Sequence, residues 1–179
     1  GTDLAQQTAE IAYYPSGQMY WIEDAKNNRT EYQLDRHGRA KTVFYPDVET
    51  PGTPDYTDFE RIMSYNKDGT VAQFRSRSAG IFNFTYDNLG RITKKDVPYR
   101  DAASAVHTRD VLYDYDLSGN PTDIRFADGD GYSYSYDGLG RMTRSDDQMT
   151  GTTRTLRYEY DLAGARSTLV HPDGQRVNY

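Results

Sequence analysis

The residues in this 179-residue chain most suggestive of chemistry are carboxylates beside glycine. Asp114-Tyr115-Asp116-Leu117-Ser118-Gly119 matches the opening of a calcium-binding loop, with oxygens at positions 1, 3 and 5 and glycine at 6. Such a loop needs a bidentate glutamate at position 12. That position is Arg125, whose charge repels a cation. Asp128 and Asp130, in Asp128-Gly129-Asp130-Gly131, are the candidates for holding a metal, although paired turn glycines account for the same spacing. Gly138-Leu139-Gly140 imitates part of a phosphate loop but lacks a third glycine and a following helix. His37, His107 and His171 lie far apart in polar settings and read as surface residues. Asp146-Asp147 reads as solvated charge in a polar loop. No serine sits in a Gly-x-Ser-x-Gly turn, and nothing singles out two carboxylates for glycoside hydrolysis. No catalytic residue and no cofactor is assigned, and the chain reads as non-enzymatic.

The elements that would carry these residues are set by a repeat. An aromatic, an aspartate, two residues and a glycine recur, often followed by arginine. Tyr86-Asp87-Asn88-Leu89-Gly90-Arg91 and Tyr136-Asp137-Gly138-Leu139-Gly140-Arg141 are full copies. Tyr115-Asp116 with Gly119, and Tyr160-Asp161 with Gly164, keep the first half. Looser copies are Tyr65 to Gly69, Leu34-Asp35 to Gly38-Arg39, and Tyr13 to Gly17. The glycines at 17, 38, 69, 90, 119, 140 and 164 are separated by 21, 31, 21, 29, 21 and 24 residues.

Each copy reads as strand, tight turn, strand. Leu156, Tyr158 and Tyr160 alternate with polar neighbours, as do Phe82, Phe84 and Tyr86, and Tyr132, Tyr134 and Tyr136. A period of two is the mark of a strand with one apolar face. Glycine supplies the positive φ of a tight hairpin, and the aspartate three residues earlier accepts bonds from the turn's amides. Connecting loops are expected over 46–58, with its three prolines, and over 96–107, where Ala102 to Ala105 has room for one helical turn. Asp128-Gly129 and Asp173-Gly174 mark further turns. The fold class expected is all-β: about seven hairpins over 1–179, forming one long, twisted, curved antiparallel sheet. A single hairpin is marginal in water. Stacking should therefore set Tyr65, Tyr86, Tyr115, Tyr136 and Tyr160 in a row, with ring packed on ring between repeats.

Composition agrees. Leu, Ile, Val and Phe make up about 16% of the chain, below the roughly 20% under which disorder becomes a live reading, but 17 tyrosines supply ring area. The net charge of −6, with both signs interspersed, argues against a nucleic-acid partner. With no cysteine there is no disulfide and no thiolate metal site. No apolar run is long enough to span a bilayer, and Gly1 to Gln7 lacks the features of a signal peptide, so a mature product or an excised piece is expected.

These phrases resemble the YD/Rhs repeat family, whose pattern is roughly Tyr-Asp-x-x-Gly-Arg-Leu/Ile-Thr. Tyr86 to Thr93 matches at every defined position, and Tyr136 to Thr143 matches with Met142 in place of Leu/Ile. The resemblance covers nearly the whole chain. It implies a spiral β-shell, of which this chain would be an open segment. In bacterial members, including polymorphic toxins and components of insecticidal toxin complexes, the shell encloses a toxic segment, and animal teneurins use a related shell in adhesion. A self-cleaving Asp-Pro-x-Gly-Leu-type motif is not found, so neither self-cleavage nor toxicity carries over.

The function expected is a structural segment of a shell that encapsulates or presents a toxin or other cargo. The resemblance alone implies a secreted or surface-delivered bacterial protein. The partners expected are neighbouring repeats or shell segments and a cargo toxin, with self-association through unpaired sheet edges. The runner-up is a surface adhesion module for a glycan or protein, with tyrosines stacking on sugar rings. An enzyme with its site between hairpins ranks last.

Overall fold

A computed structural model describes residues 9–179, and the expectation about Gly1–Gln7 lies outside them. Fifteen strands follow one another in chain order through one open antiparallel sheet. The first seven are β1 (Glu10–Tyr13), β2 (Met19–Glu23), β3 (Arg29–Leu34), β4 (Ala40–Pro46), β5 (Pro54–Tyr65), β6 (Val71–Arg75) and β7 (Ile81–Tyr86). Then come β8 (Ile92–Arg100), β9 (Val106–Tyr115), β10 (Pro121–Phe126), β11 (Gly131–Tyr136) and β12 (Met142–Asp147). The last are β13 (Arg154–Tyr160), β14 (Arg166–Val170) and β15 (Arg176–Asn178). The chain divides into two compact units, Gly1–Asn83 and Phe84–Tyr179. No helix among the described residues is long and apolar enough to cross a membrane.

The repeat's glycines close the turns as their chemistry requires. Gly90 donates its amide to the Asp87 carbonyl at 3.0 Å, and Asp87 donates to the Arg91 carbonyl at 2.9 Å. This is a three-residue hairpin loop whose last residue must adopt positive φ, and Gly90 has a φ of 77°. The same bonds recur at Gly38, Gly119, Gly140 and Gly164. Turns at the opposite ends of the strands place Asn27, Gly52, Ala79, Ser104, Gly129, Gly151 and Gly174 at positive φ.

Two connections are shorter than expected. About half of 46–58 and of 96–107 is strand, because β5 begins at Pro54, β8 runs to Arg100 and β9 starts at Val106. Prolines do not break these ladders. Pro46 lies directly opposite Pro54, and Pro98 opposite Thr108. Alternate pairs in an antiparallel ladder exchange no hydrogen bonds, and such positions tolerate a residue without an amide hydrogen. The small-residue run at Ala102 to Ala105 is a tight turn, with Ser104 donating to the Asp101 carbonyl at 2.9 Å, not a helical one.

Register sorts the second unit into two unlike faces. Tyr113, Ile124 and Tyr132 are cross-strand neighbours on one face, and Tyr158 and Leu169 on the same face further along. Asp114, Asp123, Ser133, Asp146 and Thr155 follow one another across the other face. In the first unit the equivalent polar face carries Trp21, Glu31 and Phe44 in line. A single layer cannot bury such side chains from both sides. Among the described residues none is less than 2% exposed, and Phe44, at 5%, is the one buried hydrophobic.

Candidate functional site

The repeated turn is the most elaborate side-chain arrangement in the molecule. Asp87 is its centre: Oδ1 accepts the amides of Leu89 at 2.8 Å and Arg91 at 3.0 Å, and Oδ2 accepts Arg91 Nε at 2.7 Å. Asp137 does the same with Leu139 and Arg141, and Asp35 with His37 and Arg39. Acceptance of amides and a guanidinium stabilises the ionised form. At Asp35, burial pushes the carboxyl up, but the Arg39 amide and guanidinium and the His37 amide outweigh it and hold the group at about 2. Asp87 and Asp137 are also held down, chiefly by the amides of Arg91 and Arg141.

The arginine so fixed reaches into the next repeat. Arg91 lies over the Tyr115 ring at 4.5 Å, Arg141 over Tyr160 at 4.5 Å, and Arg39 over Tyr65 at 3.8 Å. Each of these tyrosines donates its hydroxyl to the carbonyl of the residue after that arginine. Tyr115 reaches Ile92 at 2.9 Å, Tyr160 reaches Met142 at 2.7 Å, and Tyr65 reaches Ala40. Tyrosine and arginine therefore form a clasp between consecutive repeats, cation on ring and hydroxyl on backbone.

Departures from the repeat pattern show which half of the clasp each residue supplies. Asn120 stands where arginine does elsewhere. Its amide and side chain still bond Asp116 at 2.8 and 2.9 Å, and Tyr136 still reaches the Pro121 carbonyl at 2.9 Å. Gln18, in the first copy, donates to the Gly38 carbonyl at 2.9 Å, while Leu34 in the second has no hydroxyl to return a bond. The expected row of tyrosines is thus joined differently. What meets the Tyr115 and Tyr160 rings is the guanidinium of the preceding repeat, not a neighbouring ring.

The other candidate residues have partners within the fold. Asp114 and Arg125, positions 1 and 12 of the calcium-loop imitation, pair with each other, and Asp116 is held in its own turn. The candidate metal pair, Asp128 and Asp130, faces Arg109, at 2.6 and 3.8 Å. A guanidinium thus occupies the place of a cation. His107 pairs with Asp101 at 2.8 Å and stacks on Tyr99, while His37 accepts from Arg36 at 3.0 Å and His171 closes a turn with Gly174. Among the described residues no three acidic or histidine side chains gather as a metal site.

One reading is corrected. Asp146-Asp147 ends β12 instead of lying in a loop, and Asp146 is only 8% exposed. It accepts from Thr155 Oγ1 at 2.5 Å and Arg144 Nε at 2.9 Å, because register sets Ser133 and Thr155 on either side of it. The alternation of Arg144 and Asp146 between Thr143 and Ser145 is the signal that would have revealed this strand.

A sheet of consecutive hairpins, most of them closed by an Asp-x-x-Gly turn and three of them clasped to the next through tyrosine and arginine, defines a β-hairpin repeat array. The chain carries repeats of the YD/Rhs type, and residues 115–148 match the family model described as RHS Repeat. Comparison with curated proteins finds no match. Among solved structures, the crystal structure of TcdB2-TccC3-Cdc42 is similar over 96% of this chain and 9% of that one, at 18% identity and a TM-score of 0.70. The Tc holotoxin pore of Photorhabdus luminescens is similar over the same shares, at 18% identity and a TM-score of 0.69. TcdB2-TccC3 gives 0.68 at 18% identity, over 96% of this chain and 10% of that one. The chain thus spans about a tenth of the length of the structures it resembles.

Proposed function

We propose that this chain is a structural segment of the wall of a β-shell that encapsulates or presents a toxin or other cargo, in a secreted or surface-delivered bacterial protein. Its role is non-catalytic. The observation that carries this reading is thin burial. Among the described residues no side chain is less than 2% exposed, and Phe44 is the one buried hydrophobic. Such a sheet supports itself as part of a larger surface, its partners being neighbouring repeats or shell segments and the cargo. The solved Tc complexes, of similar fold, support the same reading. The clasps also leave Tyr115 and Tyr160 poorly placed as sugar platforms, since a guanidinium covers one side of each ring and the hydroxyl is bonded to backbone.

A wall has an inside and an outside, which gives the test. The chain has no cysteine, so single probes are clean. Tyr132 and Ser135 lie in β11, are both exposed and point to opposite faces. In the intact protein, Tyr132→Cys and Ser135→Cys should differ in reaction with a bulky maleimide, one modified and the other protected until the protein is unfolded. Equal, rapid modification of both would sink the enclosing-wall reading.

A further inference from the structure

We propose that Arg61 and Arg75, in the first unit, form a binding site for an oxyanion, a phosphate or a carboxylate. The inference is independent of the wall reading.

Several arginines in this molecule lie on an aromatic ring and turn one edge of the guanidinium, Nε and Nη2, to a carboxylate. Arg29 lies 4.2 Å over Trp21, with both nitrogens 2.9 Å from Glu23. Arg39 lies 3.8 Å over Tyr65, with the same two nitrogens 2.8 and 2.7 Å from Asp35. Arg141 lies 4.5 Å over Tyr160, with both 2.7 Å from Asp137. At Arg75 the ring is present and the carboxylate is not. Its guanidinium lies 3.9 Å over Phe59, and Nη1 donates to the Phe59 carbonyl at 2.6 Å. Nε and Nη2, the edge that takes a carboxylate elsewhere, bond no other described residue. Arg61 shares the Phe59 ring, at 4.8 Å, and donates from Nε to Thr42 Oγ1 at 3.1 Å. Both of its terminal nitrogens are left open, and neither arginine forms an ion pair among the described residues.

Register sets the two side by side. Arg61 in β5 stands directly opposite Arg75 in β6, on the face shared with Thr42 and Phe59. Like charges directly opposite destabilise a sheet, and an anion between them removes that cost. Gln33, opposite Thr42, and Gln73, two residues before Arg75, bring no charge to the same face. Ring and backbone contacts hold both guanidiniums in place, so little freedom is left to lose on binding. The open nitrogens are reachable without a cavity, because among the described half-buried side chains no unpartnered nitrogen or oxygen is sealed from solvent. Phosphate and carboxylate carry paired oxygens that fit such edges, whereas chloride cannot bridge them.

Arginine Nε–H groups are visible in proton–nitrogen spectra, so each guanidinium reports on itself. Sodium phosphate should move the Arg75 Nε–H signal saturably, with a millimolar midpoint, and sodium chloride at equal ionic strength should not. Arg61→Gln, read at Arg75, should raise the midpoint about tenfold, the loss of one charge-assisted bond. Arg75→Lys, read at Arg61, keeps the charge but loses the fork, and should raise it about fivefold. Arg36→Gln removes an exposed charge that has no carboxylate partner, and should leave the midpoint within about twofold. N-acetyl-aspartate amide in place of phosphate separates the two sources of this chemistry. Tighter binding of phosphate indicates a phosphorylated group, and tighter binding of the aspartate an acidic side chain of a partner polypeptide. Absence of saturable movement with both anions in the unaltered protein overturns the proposal, whether or not a variant folds. An unchanged midpoint in either folded variant overturns it too, as does an equal rise in Arg36→Gln.

Discussion

At one end of the strands, Gly38, Gly69, Gly90, Gly119, Gly140 and Gly164 take φ between 75° and 90°. At the other end the same backbone conformation falls on Asn27, Ala79 and Ser104, at 62°, 64° and 65°, as well as on glycines. Five of these six turns also carry the aspartate that binds its own turn, and three carry the arginine that reaches the next tyrosine. The second set shares part of this chemistry: Asp24 and Asp101 accept the amides of their own turns, and Arg77 reaches from the Ala79 turn to Asp58 and the Tyr45 ring. What sets the first row apart is the tyrosine hydroxyl that bonds the backbone of the preceding repeat. Residues other than glycine are tolerated in the second row because a left-handed residue without glycine costs only about 1–2 kcal/mol.

The largest effect should come from the second row, at a glycine whose role is space and not φ. Gly131 begins β11, and a Cβ there would fall inside van der Waals contact with the Ile124 carbonyl oxygen and the Arg125 Cα. Gly131→Ala should cost about 3 kcal/mol, the upper range for overpacking against groups that cannot move. Gly129→Ala, two residues away in open space at a φ of 97°, should cost less than half of that. Urea unfolding of the two variants checks the ranking. Equal losses would mean that the two glycines do the same work.

The first row is tested by its hydroxyls. Tyr160→Phe removes the bond to the Met142 carbonyl and should cost about 1 kcal/mol. Tyr136→Phe should cost a similar amount, although its turn lacks the arginine. The substitution Ala79→Gly should move stability the other way, by about 1 kcal/mol, because it relieves a left-handed alanine. A gain at position 79 and a loss at 160, both read from unfolding midpoints, would separate strain held in a turn's backbone from a bond that joins two repeats.

Legibility follows the same division. The first row was readable because aspartate and glycine act on backbone within five residues, so Asp87 and Gly90 carry their own explanation. The Ser104 turn was partly readable, because Asp101 accepts the amides of Ala103 and Ala105 as Asp87 does in its own turn, whereas Ala79 was not, since only the Ser76 hydroxyl acts there and alanine gives no sign of positive φ. Strands over 54–58 and 96–100 were hidden by prolines whose non-bonding positions only register reveals. Asp146 reads as a surface acid, since its burial depends on cross-strand neighbours distant in sequence. The arginine's reach to the next tyrosine also needed the fold, because the two lie about one repeat apart.

Acid should weaken the turns whose aspartates bind their own backbone amides. The carboxyls of Asp35, Asp87, Asp116 and Asp137 are all lowered from 3.8 in the folded chain, so the folded state binds fewer protons than the unfolded one. Their contribution is complete above the unfolded value and is lost as pH falls through the folded one, which for Asp35 is about 2. Amide exchange should therefore quicken at these turns between about pH 4 and pH 2. Replacing Asp87 by Asn should flatten the response around Gly90, and the turn at Ala79, where the Ser76 hydroxyl takes the place of a carboxylate, should show little of it.

The smallest effect tests the clasp by completing it. Asn120 keeps both bonds to Asp116 that arginine makes elsewhere, but it puts no cation on the Tyr136 ring. The space is suitable. The Asn120 side-chain nitrogen lies 3.9 Å from where a Cβ on Gly140 would stand, as an Arg91 terminal nitrogen lies 3.9 Å from the same point on Gly119. Asn120→Arg should thus reproduce the Arg91–Tyr115 geometry and gain about 0.5 kcal/mol, the value of an exposed cation on a ring. The gain should vanish when Tyr136 is also replaced by leucine, since a coupling term reports only the pair. A gain that survives loss of the ring would place the arginine's benefit in its own turn, and the link between repeats would then rest on the tyrosine hydroxyl alone.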